Sequence, residues 1–199
     1  MKKTSIMILV VLLVCVSVNS VQAYTSEEHN FSIDPPSGWT VDDTYPGTVV
    51  TFYGPTEEGF GININVVIES VPLTMTVEQY ISANKDALNT GLDNYELVSE
   101  STRVINKVDA YEMVSTFTYT NVAIKNKQIL LVHANTAYII TCSALPTTYQ
   151  KYLSTFESSI ETFNIIDEAV PEFPSYILAL AALTVVAVVG LVYKKRIKS

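Results

Sequence analysis

The chain has 199 residues, a net charge of −8 and two cysteines, which allows one hydrophobic core and excludes two. All 20 acidic residues fall between Glu27 and Glu172, opposed there only by Lys85, Arg103, Lys107, Lys125, Lys127 and Lys151, so this stretch carries −14. Such a charge repels nucleic acid and anionic lipid at range, and two cysteines exclude a disulfide framework.

The N-terminus pairs Lys2-Lys3 with an apolar run from Ile6 to Val18 and ends in Val21-Gln22-Ala23. A basic start, a short apolar stretch and small exit residues are the pattern of an export signal, residues 1–23, with the mature chain starting at Tyr24. The run is too short to span a membrane comfortably, and a buried core helix rarely starts behind two lysines without a polar face. Cys15 does not read as a lipidation site, because Val14 precedes it where a small residue is wanted. Cys142 is then the only cysteine left, and the domain relies on its core alone.

Residues 24–166 carry the pattern of one domain. Phe31–Ile33 is a short apolar-polar-apolar piece before the turn cluster Asp34-Pro35-Pro36-Ser37-Gly38, and Trp39-Thr40-Val41 resumes an extended pattern. Thr48–Tyr53 reads as a strand ending at Gly54-Pro55. Ile62, Ile64, Val66 and Ile68 alternate with Asn63, Asn65, Val67 and Glu69, as in a half-buried strand. The period then changes: Thr76 and Gln79 form a capping box, Val77, Tyr80, Ile81 and Leu88 share a helical face, and Gly91 reads as the stop.

Residues 95–104, 110–120, 122–134 and 137–143 return to strands, with turns at Asn121 and Asn135-Thr136. Apolar residues on both faces of Ile129–Val132 and Tyr138–Ile140 make these strands central. Pro146 opens a second helix, with Tyr149, Tyr152, Leu153, Phe156, Ile160 and Phe163 at steps of three and four. Runs of strands rather than strand–helix alternation predict an α+β fold, an antiparallel sheet flanked by helices.

Residues 167–175 are an acidic, Pro-containing linker, and Tyr176–Tyr193 is uncharged for eighteen residues, enough to cross a bilayer. Lys194, Lys195, Arg196 and Lys198 follow. Cations past an apolar span stay in the cytoplasm, so the expectation is a single-pass cell-membrane protein with its domain outside and residues 194–199 inside.

The stretch Phe31-Ser-Ile-Asp-Pro-Pro-Ser-Gly-Trp39 resembles the opening of PsbP-like domains. Later features fit the same family pattern: Tyr53-Gly54-Pro55, the Ile62–Ile68 strand, the helix at Val77–Tyr80, Ala110-Tyr111-Glu112, the run from Lys127 through Tyr138 to Ala144, and Ser158–Phe163, so the resemblance covers about residues 30–166. It implies an α/β/α sandwich and a role in assembling or stabilising larger complexes rather than catalysis, and it assigns no site residues. Separately, Pro171-Glu172-Phe173-Pro174 before the apolar span resembles a PEF-type sorting signal of archaeal surface proteins. That likeness implies cleavage by a sortase-like protease and a replacing lipid anchor; a plain transmembrane anchor is the other reading.

Signals for chemistry are sparse. His29 and His133 stand alone, and Cys142 falls on a core strand, away from the exposure a nucleophile needs. Asp42-Asp43 and Glu57-Glu58 are paired carboxylates in expected loops, without calcium-loop spacing. Trp39 reads as a packing residue. The chain has no H-x-x-x-H, C-x-x-C, G-x-S-x-G or phosphate-loop pattern, so no catalytic residue, cofactor or metal is expected. Asn30-Phe31-Ser32 is a glycosylation sequon. The expectation is a non-catalytic interaction or assembly module at the cell surface with a surface or membrane-complex protein as partner. The alternative is a small-ligand carrier or enzyme with a pocket between sheet and helix.

Overall fold

Turn chemistry sets the topology. A computed structural model describes residues 22–166, which form β1 (Tyr24–Ser26), β2 (Phe31–Ile33), β3 (Thr40–Asp42), β4 (Val50–Glu57), β5 (Phe60–Ser70), α1 (Val77–Gly91), β6 (Asp93–Ile105), β7 (Val108–Tyr119), β8 (Val122–His133), β9 (Thr136–Ala144), α2 (Tyr149–Ile160) and β10 (Asn164–Ile165). At Asn106-Lys107, Thr120-Asn121 and Ala134-Asn135 both turn residues have positive φ. These are primed turns, whose twist matches that of antiparallel strands, and an Asn in each tolerates the left-handed region. They make β6 to β9 a continuous meander.

The large sheet has the order β3-β4-β5-β9-β8-β7-β6, antiparallel throughout. Because β5 pairs with β9, the chain must cross from the centre of the sheet to its far edge before starting β6. Helix α1 makes that crossing and so covers one face. Helix α2 covers the other, with Phe156, Ile160 and the following Phe163 buried against the even-numbered residues of β9. The architecture is the expected α/β/α sandwich. A small sheet, β1-β2-β10, holds both ends of the described chain against β2.

Several local expectations need correcting. β5 is not half-buried: every residue from Phe60 to Val67 is buried, including Asn63 and Asn65, because α1 lies over the face that alternation assigned to solvent. β4 does not end at Gly54-Pro55; it runs on to Glu57 through a bulge between Tyr53 and Thr56, the irregularity at which proline is tolerated in a strand. The capping box at Thr76 and Gln79 is present with both of its hydrogen bonds. Gly91, however, is the last helical residue, and Leu92 leaves in extended conformation, so no left-handed glycine ends α1. Its buried stripe is Tyr80, Asn84 and Leu88, while Val77 is exposed.

Residues 1–21 of the expected export signal (1–23), the linker with Pro171–Pro174, the apolar span 176–193 and the basic tail lie outside the described residues. Among the described residues no helix is long and apolar enough to cross a membrane.

Candidate functional site

Between α1 and the meander runs an open groove of about 1560 Å³. The helix supplies Ile81, Ser82 and Lys85; β7 and β8 supply Tyr111, Leu130 and Val132. Its Lys85 is engaged with a carboxylate at the edge of the groove. Lys85 Nζ lies 2.5 Å from Glu100 Oε2, Tyr111 OH donates to the same carboxylate, and Lys85 Nζ is 3.4 Å from Tyr111 OH. The hydrogen bond from Lys85 first, and then that from Tyr111, holds the Glu100 carboxyl below its usual range. One turn away, Tyr80 OH donates to Glu69 Oε2 at 2.7 Å, and burial pushes the Glu69 carboxyl up despite that bond. These contacts pin α1 to the sheet at two levels.

Beneath α1 the sheet carries two neighbouring polar rows. Register aligns Thr51, Asn65, Thr141 and Gln128 across β4, β5, β9 and β8, and next to them Asn63, Ser143, Asn126 and Ser115 across β5, β9, β8 and β7. All eight side chains are buried. Some polar atoms are well paired: Ser115 Oγ with Asn126 Oδ1 at 2.5 Å, and Asn63 Nδ2 with the Gly61 carbonyl at 3.0 Å. Others hold only long contacts, Asn65 Nδ2 to Asn63 Oδ1 and Gln128 Nε2 to Thr141 Oγ1, each 3.4 Å. Asn65 Oδ1, Gln128 Oε1 and Ser143 Oγ on this floor, and Asn84 Oδ1 on α1, have no partner. A buried polar atom left in this state costs about 1–3 kcal/mol.

The opposite face carries an alternating charge cluster. Arg103 Nη1 lies 3.0 Å from Glu112 Oε2 and 2.7 Å from Glu157 Oε2; Lys127 Nζ lies 2.8 Å from Glu112 Oε1 and also binds Glu157. Burial opposes the charged form of Lys127, but the two carboxylates outweigh it and its pKa is raised. Burial would likewise raise Glu157, and the hydrogen bonds from Arg103 and Lys127 bring it below the usual carboxylate range. This cluster fastens α2 to β6, β7 and β8 and is structural.

The residues singled out by chemistry are scattered. Cys142 is fully buried and its thiol is pushed up by burial, which opposes nucleophilic use. His29 lies in the β1–β2 turn and His133 ends β8 at the groove. Asp42 ends β3 and accepts from Thr44 N and Oγ1, and Glu57 ends β4 and accepts from Lys151 and Tyr152. Among the described residues no group of three or more His, Cys, Asp or Glu side chains is placed to hold a metal. Trp39 packs edge-on against Phe156 with ring centroids 6.3 Å apart. Asn30, in the β1–β2 turn with φ 52°, is half-buried. The polar rows were present in the sequence as Asn63, Asn65, Asn126, Gln128, Thr141 and Ser143, but only the register of β5, β9 and β8 shows that they meet.

Comparison with known proteins agrees with this architecture. The chain is similar to the solution structure of cyanobacterial PsbP from Synechocystis, with 16% identity, 76% of this chain and 96% of that one covered, and a TM-score of 0.57. It is similar to PA94 of Pseudomonas aeruginosa, a protein of unknown function, at 11% identity, 77% and 98% coverage and a TM-score of 0.54. LpqN of Mycobacterium tuberculosis, involved in cell envelope biogenesis, matches at 9% identity, 69% and 83% coverage and a TM-score of 0.54. At these identities the likeness shows the fold, which is PsbP-like. No curated protein matches the sequence. The DcrB family model matches residues 32–162, most of the domain, and the chain belongs to the DcrB family.

Proposed function

We propose that this chain is a non-catalytic interaction module, held outside the cell membrane by its C-terminal segment, that takes up an extended basic segment of a membrane or surface protein along β6. The observation that carries this reading is the edge itself. β6 is thirteen residues long and ends the sheet, and among the described residues no strand pairs with its outer side. All but Ile105 are exposed or half-exposed, with Val98 and Val104 prominent. From Ser99 to Ile105 the pairing with β7 is free of bulges, so this part of the edge is regular enough to template another strand. Asp93, Glu96 and the overall acidity of the domain favour a basic occupant.

The anchoring is read from the export signal, the 176–193 span and the basic tail. It is supported by β1 and β10 lying on either side of β2, which brings both ends of the domain to one place where a single tether suffices. Pro171-Glu172-Phe173-Pro174 extends the reading to a PEF-type sorting signal of the archaeal surface-protein kind, with a lipid replacing the span after cleavage.

A photo-crosslinking residue at Val104 of the full chain in native membranes tests the strand edge. The expected result is one discrete protein adduct, absent when the probe sits at the exposed Val41 of the opposite edge, and lost on Thr102→Pro with the fold intact. Equal labelling from both edges, or no adduct, would reject the edge reading.

A further inference from the structure

The geometry points to a second, ligand-binding site: the two polar rows under α1 form the floor of a site for a neutral polyhydroxylated ligand such as a mono- or disaccharide, with α1 as its cover. The inference is independent of the strand-edge reading.

The placement of the helix comes first. Lys85 is bonded to Glu100, which lies in register with Met113, and Met113 with Gln128, Thr141 and Asn65. The helix therefore crosses the sheet at the level of the first polar row, and Asn84, the buried neighbour of Lys85, is delivered above it. An asparagine in the middle of a buried stripe, facing a floor of amides and hydroxyls, is not what a helix needs to dock. Leu88 one turn on shows what docking alone uses.

The chemistry of the unpartnered atoms sets the ligand class. Asn65, Gln128 and Asn84 each leave a carbonyl oxygen without a donor, and Ser143 leaves a hydroxyl. Asn65 and Gln128 already use their amide NH₂ groups on Asn63 and Thr141. What is missing is hydrogen-bond donors, which an acceptor-only phosphate or carboxylate cannot supply. The eight side chains of the two rows carry no charge. The nearest carboxylates, Glu69 and Glu100, are engaged by Tyr80, Lys85 and Tyr111, so a cation finds no free counter-charge there. Vicinal hydroxyls donate and accept at each position and match a floor on which amides and hydroxyls alternate.

The cover is tied to the sheet at few points. Of its fifteen residues only Tyr80, Asn84 and Leu88 are buried, and its polar ties to the sheet run through Lys85 and Tyr80. The open groove along Ile81, Ser82 and Lys85 gives access to its flank.

Trp39 is the only tryptophan in the chain and reports unfolding of the domain. Thermal unfolding of the full-length protein in detergent, followed by its fluorescence, is measured against glucose, galactose, mannose and trehalose, with glucuronate and glucosamine as charged controls. At least one neutral sugar should raise the midpoint saturably by several degrees, and the charged sugars should not. Gln128→Met and the milder Thr141→Val should abolish the saturable part while leaving the linear rise that any excluded osmolyte produces. Only a linear rise in wild type, or an unchanged saturable shift in both variants, overturns the site. A saturable response to the charged sugars alone overturns the ligand class.

Discussion

The indole of Trp39 lies so close over Gly54 that a β-carbon there would come within 2.6 Å of its ring. Gly54 sits in the bulge of β4, and the absence of a side chain lets the ring reach Phe156 of α2. Gly54→Ala is expected to cost about 1–3 kcal/mol, because the ring cannot retreat without leaving Phe156. Phe156→Ala, which empties a fully buried site, should cost about 3–5 kcal/mol. Half-exposed Trp39 should cost less than Phe156 on truncation. Denaturant midpoints check all three, and a neutral Gly54→Ala would show that the ring has another resting place.

Lys127 is the most buried cation of the charge cluster on the α2 face. Lys127→Met leaves Glu112 and Glu157 facing each other with only Arg103 between them. Breaking such a pair costs about 3–5 kcal/mol, and the remaining arginine places the expected loss near the lower figure. The double change Lys127→Met with Glu157→Gln should recover part of it. Midpoints for the two single variants and the double variant give the coupling directly.

Two carboxylates respond to pH with opposite sign. The Glu157 pKa is depressed in the folded state, so its contribution is fully present above the ordinary carboxylate range and is lost as pH falls through the depressed value. The Glu69 pKa is raised by burial, so ionised Glu69 opposes folding above the raised value, and that opposition disappears as pH falls. Glu157→Gln should therefore flatten the acid limb of the stability profile. Glu69→Gln should leave the protein at least as stable as wild type at neutral pH and remove the gain on mild acidification. Urea midpoints between pH 7 and pH 3 measure both.

The tail prediction concerns mass. If Pro171-Glu172-Phe173-Pro174 is recognised and cut, native protein should end near the motif and carry added lipid, and an intact Ser199 by mass spectrometry would support a plain anchor. Glu172→Ala with Phe173→Ala should yield an unprocessed chain still held by residues 176–193.

The elements that sequence made legible were those with a local cause. The capping box at Thr76 and Gln79, the turn at Asn121 and the aromatic stripe of α2 each depend on residues within a few positions of one another. β5 shows why the rest was hidden. Its Asn63 and Asn65 alternate with isoleucines and look solvent-facing, because polar–apolar alternation cannot report a helix that returns over the polar side. The same limit hid the candidate site: Asn65 and Gln128 are 63 positions apart, and only Thr141, in register with both, joins them. Arg103, Lys127 and Glu157 are likewise far apart in the chain, and it is α2 that brings them together.

β10 is two residues long, yet under the anchoring proposed above it would be the first element to receive a load from the tether. Tension on the tail is received first by the hydrogen bond from Ile166 N to the Asn30 carbonyl and by the pairing of Asn164 and Ile165 with β2. Behind them stands Phe163, fully buried, its ring stacked on Phe31 at 5.5 Å and edge-on to Tyr138 at 5.6 Å. A pull must extract that ring before it reaches α2, so in the anchored arrangement proposed above Phe163 would be the mechanical stop between the tether and the seven-stranded sheet.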